Sequence, residues 1–339
     1  MRDDAARAAH RAAVLGAGSW GTALAIHVSG VGHDVVLWGR DTVLVADMAT
    51  RRSNMTYLPD VAFPATLSVS TDLSLALRDV RYVVIAVPSH GLRGLLRSAV
   101  PHLPAGAILV SATKGLEAES MMSMSQVMIE ETRGLHPVVV LSGPSFAAEV
   151  ARGLPTALVA ASRDDAAVRC VQDEFRSSAF RLYASNDVAG VEIGAALKNV
   201  IAIAAGMVEA MGLGHNATAA LITRGLAEIS RLAFAMGGRR ETLAGLSGMG
   251  DLVLTCTGGL SRNRHVGIEL GRGRSLTDIL GGMKMVAEGV RTTSVALALA
   301  ATHGVDLPIV AKMQEVLDGR KRPQEAVADL MGRPQKSEH

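Results

Sequence analysis

The segment 14–21, VLGAGSWG, constrains the fold of this chain more than any other part of it. It contains a GxGxxG pattern that follows a short apolar run and opens a stretch with helical spacing. In this setting Gly16 permits a tight turn, Gly18 lets the backbone approach a pyrophosphate, and Gly21 lets the helix pack closely on the strand. The helix N-terminus supplies free N–H groups and a favourable dipole for phosphates. We therefore predict a dinucleotide-binding turn; because the chain has 35 glycines, a purely structural turn is the alternative.

Strand-like and helix-like segments alternate through the first half of the chain. The run YVVIAV at 82–87 has no polar alternation, which is typical of a strand buried on both faces of a parallel sheet. Further strands are predicted at 12–15, 34–38, 107–111, 138–141, 156–160 and 180–183, with a first helix at 19–29. This alternation predicts a doubly wound α/β domain.

The pattern becomes helical after about residue 187. Helices are predicted at 189–211, 216–236, 262–270, 290–303, 309–317 and 324–331, with Gly and Pro between them. A chain of 339 residues also exceeds what one hydrophobic core usually supports, about 250–300 residues. We predict a nucleotide-binding domain over 11–186 and an α-helical substrate and catalytic domain over 187–333.

Charge and apolar patterning argue against several kinds of partner. The formal net charge of +2 favours neither nucleic acid nor an anionic membrane, so an anionic ligand needs a local site. The most apolar stretch, 191–211, is interrupted by charged side chains and predicts a buried helix rather than a membrane span. Two distant cysteines indicate a reducing compartment. Residues 1–11 lack the apolar core of a signal peptide and are interpreted as a short disordered extension.

The end of the second predicted strand bears on the choice of nucleotide. There an acidic residue would bind the ribose hydroxyls of NAD, and a basic residue would accommodate the 2′-phosphate of NADP. The strand ends in Trp38-Gly39-Arg40-Asp41. Arg40 favours NADP and Asp41 keeps NAD possible; alternatively both are a solvated helix start, with Asp41 near an N-cap.

Lys198 and Asp251 are the candidates for proton transfer. Lys198 lies in GAALKNVIA, where its neighbours on the helix face are apolar. A lysine desolvated in this way has a lowered pKa and can act as a general acid or base, although a snorkelling lysine is an equal alternative. Asp251, in the glycine-rich SGMGDL, could orient a lysine ammonium, or it could cap a helix that starts at Leu252.

Three segments are candidates for binding an anion. Ser261-Arg262-Asn263 opens a predicted helix and places a hydroxyl, a guanidinium and an amide at its positive end. Lys114 and the GPSF segment at 143–146 each follow a predicted strand at its carboxyl end, where open α/β sheets bind ligands. An ordinary N-cap with solvated arginines remains the alternative at 261–263. No HExxH or clustered Cys/His set is present, which argues against a metal site.

Taken together, these segments resemble the bacterial-type NAD(P)-dependent glycerol-3-phosphate dehydrogenase family. The strings that carry the resemblance are GAGSWGTALA (16–25), LWGR (37–40), ATKGLE (112–117), LSGPSFAAEV (141–150), ALKNVIAIAAG (196–206), GMGDLVLTC (248–256), SRN (261–263) and VAEGV (286–290). They cover nearly the whole chain after Arg11. The resemblance implies a Rossmann-like domain followed by an all-α domain, usually in a cytoplasmic homodimer. It also implies reversible conversion of sn-glycerol 3-phosphate and dihydroxyacetone phosphate for phospholipid synthesis.

The resemblance also implies roles for individual residues. Lys198 would be the proton acceptor in alcohol oxidation and the donor in reduction, with Asp251 positioning it. The substrate and its phosphate would be held by Lys114, Gly143, Ser145, Lys198, Asp251, Ser261, Arg262 and Asn263. The NAD(P) cofactor, with NADPH favoured, would be lined by Gly16, Gly18, Ser19, Trp20, Gly21, Arg40, Asp41, Lys114, Ala147, Arg262, Val286 and Glu288.

Two other functions share parts of this pattern. Dehydrogenases of 6-phosphogluconate or of 3-hydroxyacyl thioesters have the same two-domain architecture, but the GPSFA and SRN strings argue against them. A redox-sensing nucleotide-binding module without turnover would need neither the lysine, the aspartate nor the anion-binding set.

Overall fold

A mainly parallel sheet forms the first half of the molecule. The computed structural model describes residues 9–283, 287–335 and 337. Its strands are β1 (Arg11–Leu15), β2 (Asp34–Trp38), β3 (Ser53–Asn54), β4 (Leu58–Ala62), β5 (Leu67–Ser70), β6 (Tyr82–Ile85), β7 (Ile108–Ser111), β8 (Val138–Ser142), β9 (Thr156–Ala161) and β10 (Phe180–Ser185). Within the described residues, eight of them form one sheet in the order β10-β9-β8-β7-β6-β1-β2-β5.

The sheet is parallel except where β8 meets β9, so β9 and β10 run opposite to the rest. β3 and β4 form a separate antiparallel pair. All seven predicted strands are present, whereas β3, β4 and β5 were missed. These three are short and partly exposed, so they lack the continuous apolar run that reveals a buried strand.

Helices cover both faces of the sheet and make up the second half. In the first half they are α1 (Ser19–Gly30), α2 (Thr42–Arg51), α3 (Leu73–Ala76), α4 (Leu92–Ala99), α5 (Met124–Glu131), α6 (Ala147–Ala151) and α7 (Asp165–Phe175). In the second half they are α8 (Val188–Ala210), α9 (Gly214–Ala235), α10 (Arg240–Ala244), α11 (Asp251–Thr257), α12 (Arg262–Gly271), α13 (Leu276–Gly281), α14 (Glu288–Thr302), α15 (Pro308–Leu317) and α16 (Pro323–Met331). The predicted α/β domain followed by an all-α domain is confirmed.

Helix α8 is the centre of the helical domain. Helices α9, α11, α12 and α14 pack around it, and side chains from nearly its whole length belong to the core of this domain. By length and composition alone it could cross a membrane, but its most apolar stretch is buried within the protein. The predicted buried helix is therefore confirmed, and its apolar composition follows from neighbours on every side.

The start of the chain differs from the expectation. Arg11, predicted to end an irregular extension, instead begins β1 and pairs with Asp34 of β2. The arginine is charged but lies at the end of the strand, where its side chain keeps contact with solvent. The rest of the predicted extension, 1–8, lies outside the described residues. The predicted domain boundary after residue 186 lies between β10 and α8 and stays a prediction.

Candidate active site

Lys198 is buried in the middle of α8, with its side chain 7% exposed. Its Nζ donates to Oδ1 of Asp251 at 2.5 Å and to Oγ1 of Thr255 at 2.9 Å. Burial lowers the pKa of Lys198 to about 7, with a smaller contribution from the nearby Lys114 ammonium, while Asp251 opposes the shift. Lys198 is thus a desolvated lysine, and not one that reaches bulk water.

Asp251 joins two ammonium groups through one carboxylate. Its second oxygen, Oδ2, accepts a hydrogen bond from Lys114 Nζ at 2.8 Å, and its side chain is 1% exposed. The alternative in which Asp251 caps a helix starting at Leu252 is wrong, because Gly250 is the N-cap of that helix. A π-helical turn at Leu246–Gly250 leads directly into α11, of which Asp251 is the first residue. The turn aims the carboxylate at α8 instead of at its own backbone.

Lys114 lies just beyond β7, at the carboxyl edge of the sheet. Besides Asp251, its Nζ contacts the carbonyl oxygen of Gly143 at 3.2 Å, and the Ser145 hydroxyl donates to the same oxygen at 3.1 Å. Gly143 has φ +136°, and a Cβ there would lie 2.9 Å from the side chain of Leu158. The loops after β7 and β8 therefore bring Lys114, Gly143 and Ser145 together beside Asp251, at the carboxyl edge of the sheet.

The segment 261–263 lies at the start of α12. Ser261 is the N-cap and accepts from the backbone N–H of Arg264 at 3.2 Å, which is the N-cap alternative described above. The Asn263 amide forms hydrogen bonds within the protein. Its Nδ2 donates to Asn199 Oδ1 at 3.0 Å, and its Oδ1 accepts from Gly289 N at 3.0 Å. Because Asn199 follows Lys198, this amide ties α12 to the helix that carries the lysine.

Arg262 differs from its two neighbours. Its side chain reaches solvent and makes no hydrogen bond or ion pair with another described residue. The surrounding protein nevertheless lowers its pKa by desolvation, while Glu288 opposes the shift. Arg262 is therefore an exposed guanidinium without a partner among the described residues, and it is available to a ligand.

The glycine-rich turn has the geometry expected of a dinucleotide site. Gly16 has φ +120°, and a Cβ there would lie 2.6 Å from the carbonyl oxygen of Ala86. A Cβ on Gly21 would lie 1.8 Å from the carbonyl oxygen of Gly16, whereas a Cβ on Gly18 would meet no atom of the described residues within 4 Å. Gly16 and Gly21 are thus required by the fold, and Gly18 faces open space where a ligand can approach.

Two side chains follow this turn at the start of α1. The Trp20 Nε1 is buried and has no hydrogen-bond partner among the described residues. A buried N–H donor without a partner is costly, and a bound nucleotide would offer acceptors. The Ser19 hydroxyl donates to the carbonyl oxygen of Tyr57 at 2.6 Å. The site therefore fits a dinucleotide, although Ser19 also anchors the segment that joins β3 to β4.

Arg40 and Asp41 take different roles at the end of β2. Asp41 is the N-cap of α2 and accepts from the backbone N–H groups of Val43 and Leu44, both at 3.0 Å. Arg40 is exposed and makes no hydrogen bond or ion pair with another described residue. One carboxylate oxygen is thus committed to the helix start, while the guanidinium is available to a phosphate.

Glu288 begins α14 and connects the two domains. Its carboxylate accepts from Ser89 N at 3.0 Å and from Ser89 Oγ at 2.7 Å, in the loop after β6. Gly115, next to Lys114, lies close to Ser89: a Cβ on Gly115 would be 2.8 Å from the Cβ of Ser89. Ala147 is the first residue of α6, which packs on α1. Val286, also predicted to line the cofactor, lies outside the described residues.

Thr255 and Ser89 were not identified from the sequence. Thr255 lies four residues after Asp251, one helical turn away, so a search for polar residues at that spacing would have found it. Its hydroxyl donates to the Asp251 carbonyl oxygen at 2.6 Å and accepts from Lys198. Ser89 gave no sequence signal beyond its place after a strand. Within the described ranges, no three His, Cys, Asp or Glu side chains converge as a metal site would require.

The sequence matches two models of one protein family. The model for the N-terminus of NAD-dependent glycerol-3-phosphate dehydrogenase matches residues 11–168. The model for the C-terminus of the same family matches residues 187–328. The two matches together cover most of the chain, including both lysines and the glycine-rich turn.

Individual proteins and solved structures agree with this match. The glycerol-3-phosphate dehydrogenase [NAD(P)+] of Koribacter versatilis is 52% identical over 332 residues, covering 97% of this chain and 98% of that protein. The protein of that name from Syntrophotalea carbinolica is 53% identical over 327 residues, with 96% and 98% covered. The crystal structure of glycerol-3-phosphate dehydrogenase from Coxiella burnetii has a TM-score of 0.92 and 39% identity, with 96% and 99% covered.

Proposed function

The chain belongs to the NAD-dependent glycerol-3-phosphate dehydrogenase family, and from this premise we propose that Lys198 is the proton donor and acceptor of its reaction. The chain is an NAD(P)-dependent oxidoreductase acting on a CH–OH group, which interconverts sn-glycerol 3-phosphate and dihydroxyacetone phosphate. The observation that carries the proposal is the buried Lys198 ammonium on Asp251, because burial brings its pKa to about 7. At that value both protonation states are populated near neutral pH.

In the direction of reduction, Lys198 Nζ delivers a proton to the carbonyl oxygen of the substrate. In the direction of oxidation, the neutral amine accepts the hydroxyl proton. Asp251 and Thr255 orient Nζ through its two hydrogen bonds, and the buried position excludes water from the proton transfer. When bound, the nicotinamide supplies or accepts the hydride.

The charge balance of the site favours an anionic substrate. Lys114 and Lys198 share the single carboxylate of Asp251, which leaves surplus positive charge in a buried site. That charge stabilises an oxygen that becomes negative as the carbonyl is reduced. Arg262, at the start of α12, would bind the phosphate of the substrate. Ser261 precedes it in the chain, and Ser145 offers a second hydroxyl beside Gly143 and Lys114. Holding the remote phosphate aligns the carbonyl for the reaction.

The nucleotide would lie along the glycine-rich turn. Gly16, Gly18 and Gly21 shape the backbone for the pyrophosphate, and Trp20 has a buried N–H donor without a partner among the described residues. We propose NADPH as the preferred reductant, because Arg40 at the end of β2 is exposed and has no partner among the described residues, while Asp41 caps α2. The roles of Lys114, Ala147, Val286 and Glu288 as cofactor contacts stay proposals.

One spectrophotometric assay tests this function. The purified chain is mixed with dihydroxyacetone phosphate and either NADH or NADPH, and absorbance of the reduced nucleotide is followed. We expect turnover with both nucleotides and a higher kcat/KM with NADPH. Dihydroxyacetone without its phosphate is the matched control and should be a poor substrate, because the phosphate provides the remote binding energy. Turnover of a sugar acid but not of dihydroxyacetone phosphate would reject the substrate.

Arg262→Ala is expected to raise the KM for dihydroxyacetone phosphate at least tenfold. A hydrogen bond to a charged group contributes about 1.5–3 kcal/mol. The free energy of unfolding should change by less than about 0.5 kcal/mol, because the side chain is exposed and unpaired among the described residues. Steady-state kinetics and urea unfolding measure the two quantities.

Arg272→Ala is the matched control, since Arg272 is an exposed arginine just beyond the other end of α12 and pairs with Glu269 at 2.8 Å. Its KM should equal that of the unsubstituted enzyme. An unchanged KM in Arg262→Ala would place the phosphate elsewhere.

We also propose a cytoplasmic homodimer whose product supplies phospholipid synthesis. Support for the dimer comes from the helical domain, where Phe234 is 60% and Met331 81% exposed. Both line a groove of about 1390 Å³ between α8, α9, α15 and α16. A second copy of the chain would remove this apolar surface from water.

A further inference from the structure

Glu192 is a buried carboxylate for which the mechanism above has no use. It lies on α8 and is 5% exposed. Its Oε1 accepts from the backbone N–H of Ser125 at 2.8 Å. Its Oε2 accepts from the hydroxyls of Ser125 at 2.6 Å and Ser123 at 2.5 Å. Burial raises the pKa of Glu192, and these donors oppose the shift because they bind the ionised form.

These hydrogen bonds cross from one domain to the other. Ser125 is in the first turn of α5, an eight-residue helix of the sheet domain, and its N–H is one that a helix start leaves without an intrahelical partner. Glu192 comes from the helical domain and provides a negative charge at that helix N-terminus. It therefore caps a helix that belongs to the other domain.

The same carboxylate links the two segments that carry the lysines of the site. Lys198 follows Glu192 by six residues on α8, which is about 9 Å along the helix axis and on a different face. On the other side, Ser123 forms a β-bridge with Leu116, two residues after Lys114. Glu192 thus touches neither reacting group, yet it connects the helix that carries Lys198 with the loop that carries Lys114.

We propose that Glu192 is a positioning residue, which holds α8 against the Lys114 loop so that both lysines share the carboxylate of Asp251. This inference rests on the proposed role of Lys198. The groups that face Lys198 are Asp251 and the Cys256 thiol of α11 and Lys114 from the loop after β7. Of these, only Lys114 comes from the sheet domain, so a looser junction changes its distance first.

Glu192→Gln is expected to lower kcat about tenfold, since small misplacements of reacting groups cost 10- to 100-fold in rate. The midpoint of the pH profile for reduction should also move up by at least half a unit. If the contact between α8 and the Lys114 loop loosens, water reaches Lys198 and Lys114 moves away from it. Both changes raise the pKa of Lys198 toward its ordinary value. Lys198 then keeps the proton that reduction requires to higher pH. The affinity for NADPH, measured by quenching of protein fluorescence, should be nearly unchanged.

Glu228→Gln is the matched control. Glu228 is also a buried carboxylate that caps a helix, accepting from Ile309 N at 2.7 Å and Val310 N at 3.2 Å at the start of α15. All of these residues are in the helical domain, so this variant should lose stability while keeping the kcat and the pH midpoint of the unsubstituted enzyme.

If Glu192→Gln and Glu228→Gln have the same kcat and the same pH midpoint, the proposal is overturned. Glu192 would then be only a structural helix cap. If Glu192→Gln cannot be purified in a folded state, kcat and the pH midpoint of Ser125→Ala test the proposal instead. That variant removes one hydroxyl bound to Glu192 and keeps the backbone N–H bound to it. Absence of turnover in the unsubstituted enzyme would instead reject the proposed function. The two failures are therefore distinguishable.

Discussion

Replacing Lys198 with alanine is expected to lower kcat for the reduction of dihydroxyacetone phosphate by about 10³-fold. General acid–base catalysis by one positioned side chain contributes about 10²–10⁴-fold, and no other described amine is as deeply buried at this site. Asp251 keeps its 2.8 Å ion pair with Lys114, so the carboxylate is not left without a partner and the fold should persist. Single-turnover kinetics measure the rate, and fluorescence quenching should show an NADPH affinity within about threefold of the original.

Lys198→Arg separates proton transfer from charge. Arginine keeps the positive charge but does not deprotonate in proteins, so this variant should also lose most of its turnover. In the unsubstituted enzyme reduction should decline as pH rises through about 7, because the ammonium loses its proton, while oxidation should rise over the same range. Turnover of either variant close to that of the original enzyme would reject Lys198 as the proton donor.

Replacing Gly267 with alanine is expected to lower the free energy of unfolding by about 3 kcal/mol, at the upper end of what overpacking usually costs. A Cβ on Gly267 of α12 would lie 1.9 Å from the carbonyl oxygen of Ile203 on α8. In the other direction, a Cβ on Gly206 of α8 would lie 2.0 Å from the carbonyl oxygen of Arg264. The two helix backbones are in direct contact, so the methyl group must push them apart.

The gain in helix propensity from glycine to alanine, about 1 kcal/mol, is too small to offset this clash. Gly94→Ala is the control, because Gly94 lies within α4, is exposed, and has no atom of the described part of the chain within 4 Å of its Cβ position. That variant should be as stable as the original or more stable, by up to about 1 kcal/mol. Urea unfolding measures the free energy of unfolding of both variants. If Gly267→Ala were as stable as Gly94→Ala, α8 and α12 would move apart without a loss of stability.

Gly267→Ala should also reduce activity in the fraction that folds. Arg262 and Asn263 lie one turn before Gly267 on α12, and the Asn263 amide bonds to Asn199 beside Lys198. Displacing α12 therefore moves the predicted phosphate ligand relative to the proton donor. A rise in the KM for dihydroxyacetone phosphate together with a fall in kcat would be the kinetic sign.

Structural features that depend only on residues close together in the chain could be predicted from the sequence. The buried strands follow from continuous apolar runs, and the glycine-rich turn follows from its position between the first strand and the first helix. Lys198 was identified because a charge on an apolar helix face must be either buried or at the edge of the core. The choice between those two alternatives was open until the packing around α8 showed the lysine enclosed on Asp251 and Thr255.

The sequence by itself determined seven of the strands, the long helices that follow them, the dinucleotide turn and the residue types that carry the chemistry, because spacing along the chain encodes local structure directly. Only the tertiary structure decided that Asp251 serves two lysines, that Asn263 bonds within the protein, and that Glu288 and Glu192 connect the domains. The partners in these contacts are 26 to 199 residues apart in the chain, with Asp251 itself 137 residues from Lys114. No local pattern specifies a distance of that kind; it arises when α8 packs against its neighbours and the helical domain closes on the carboxyl edge of the sheet.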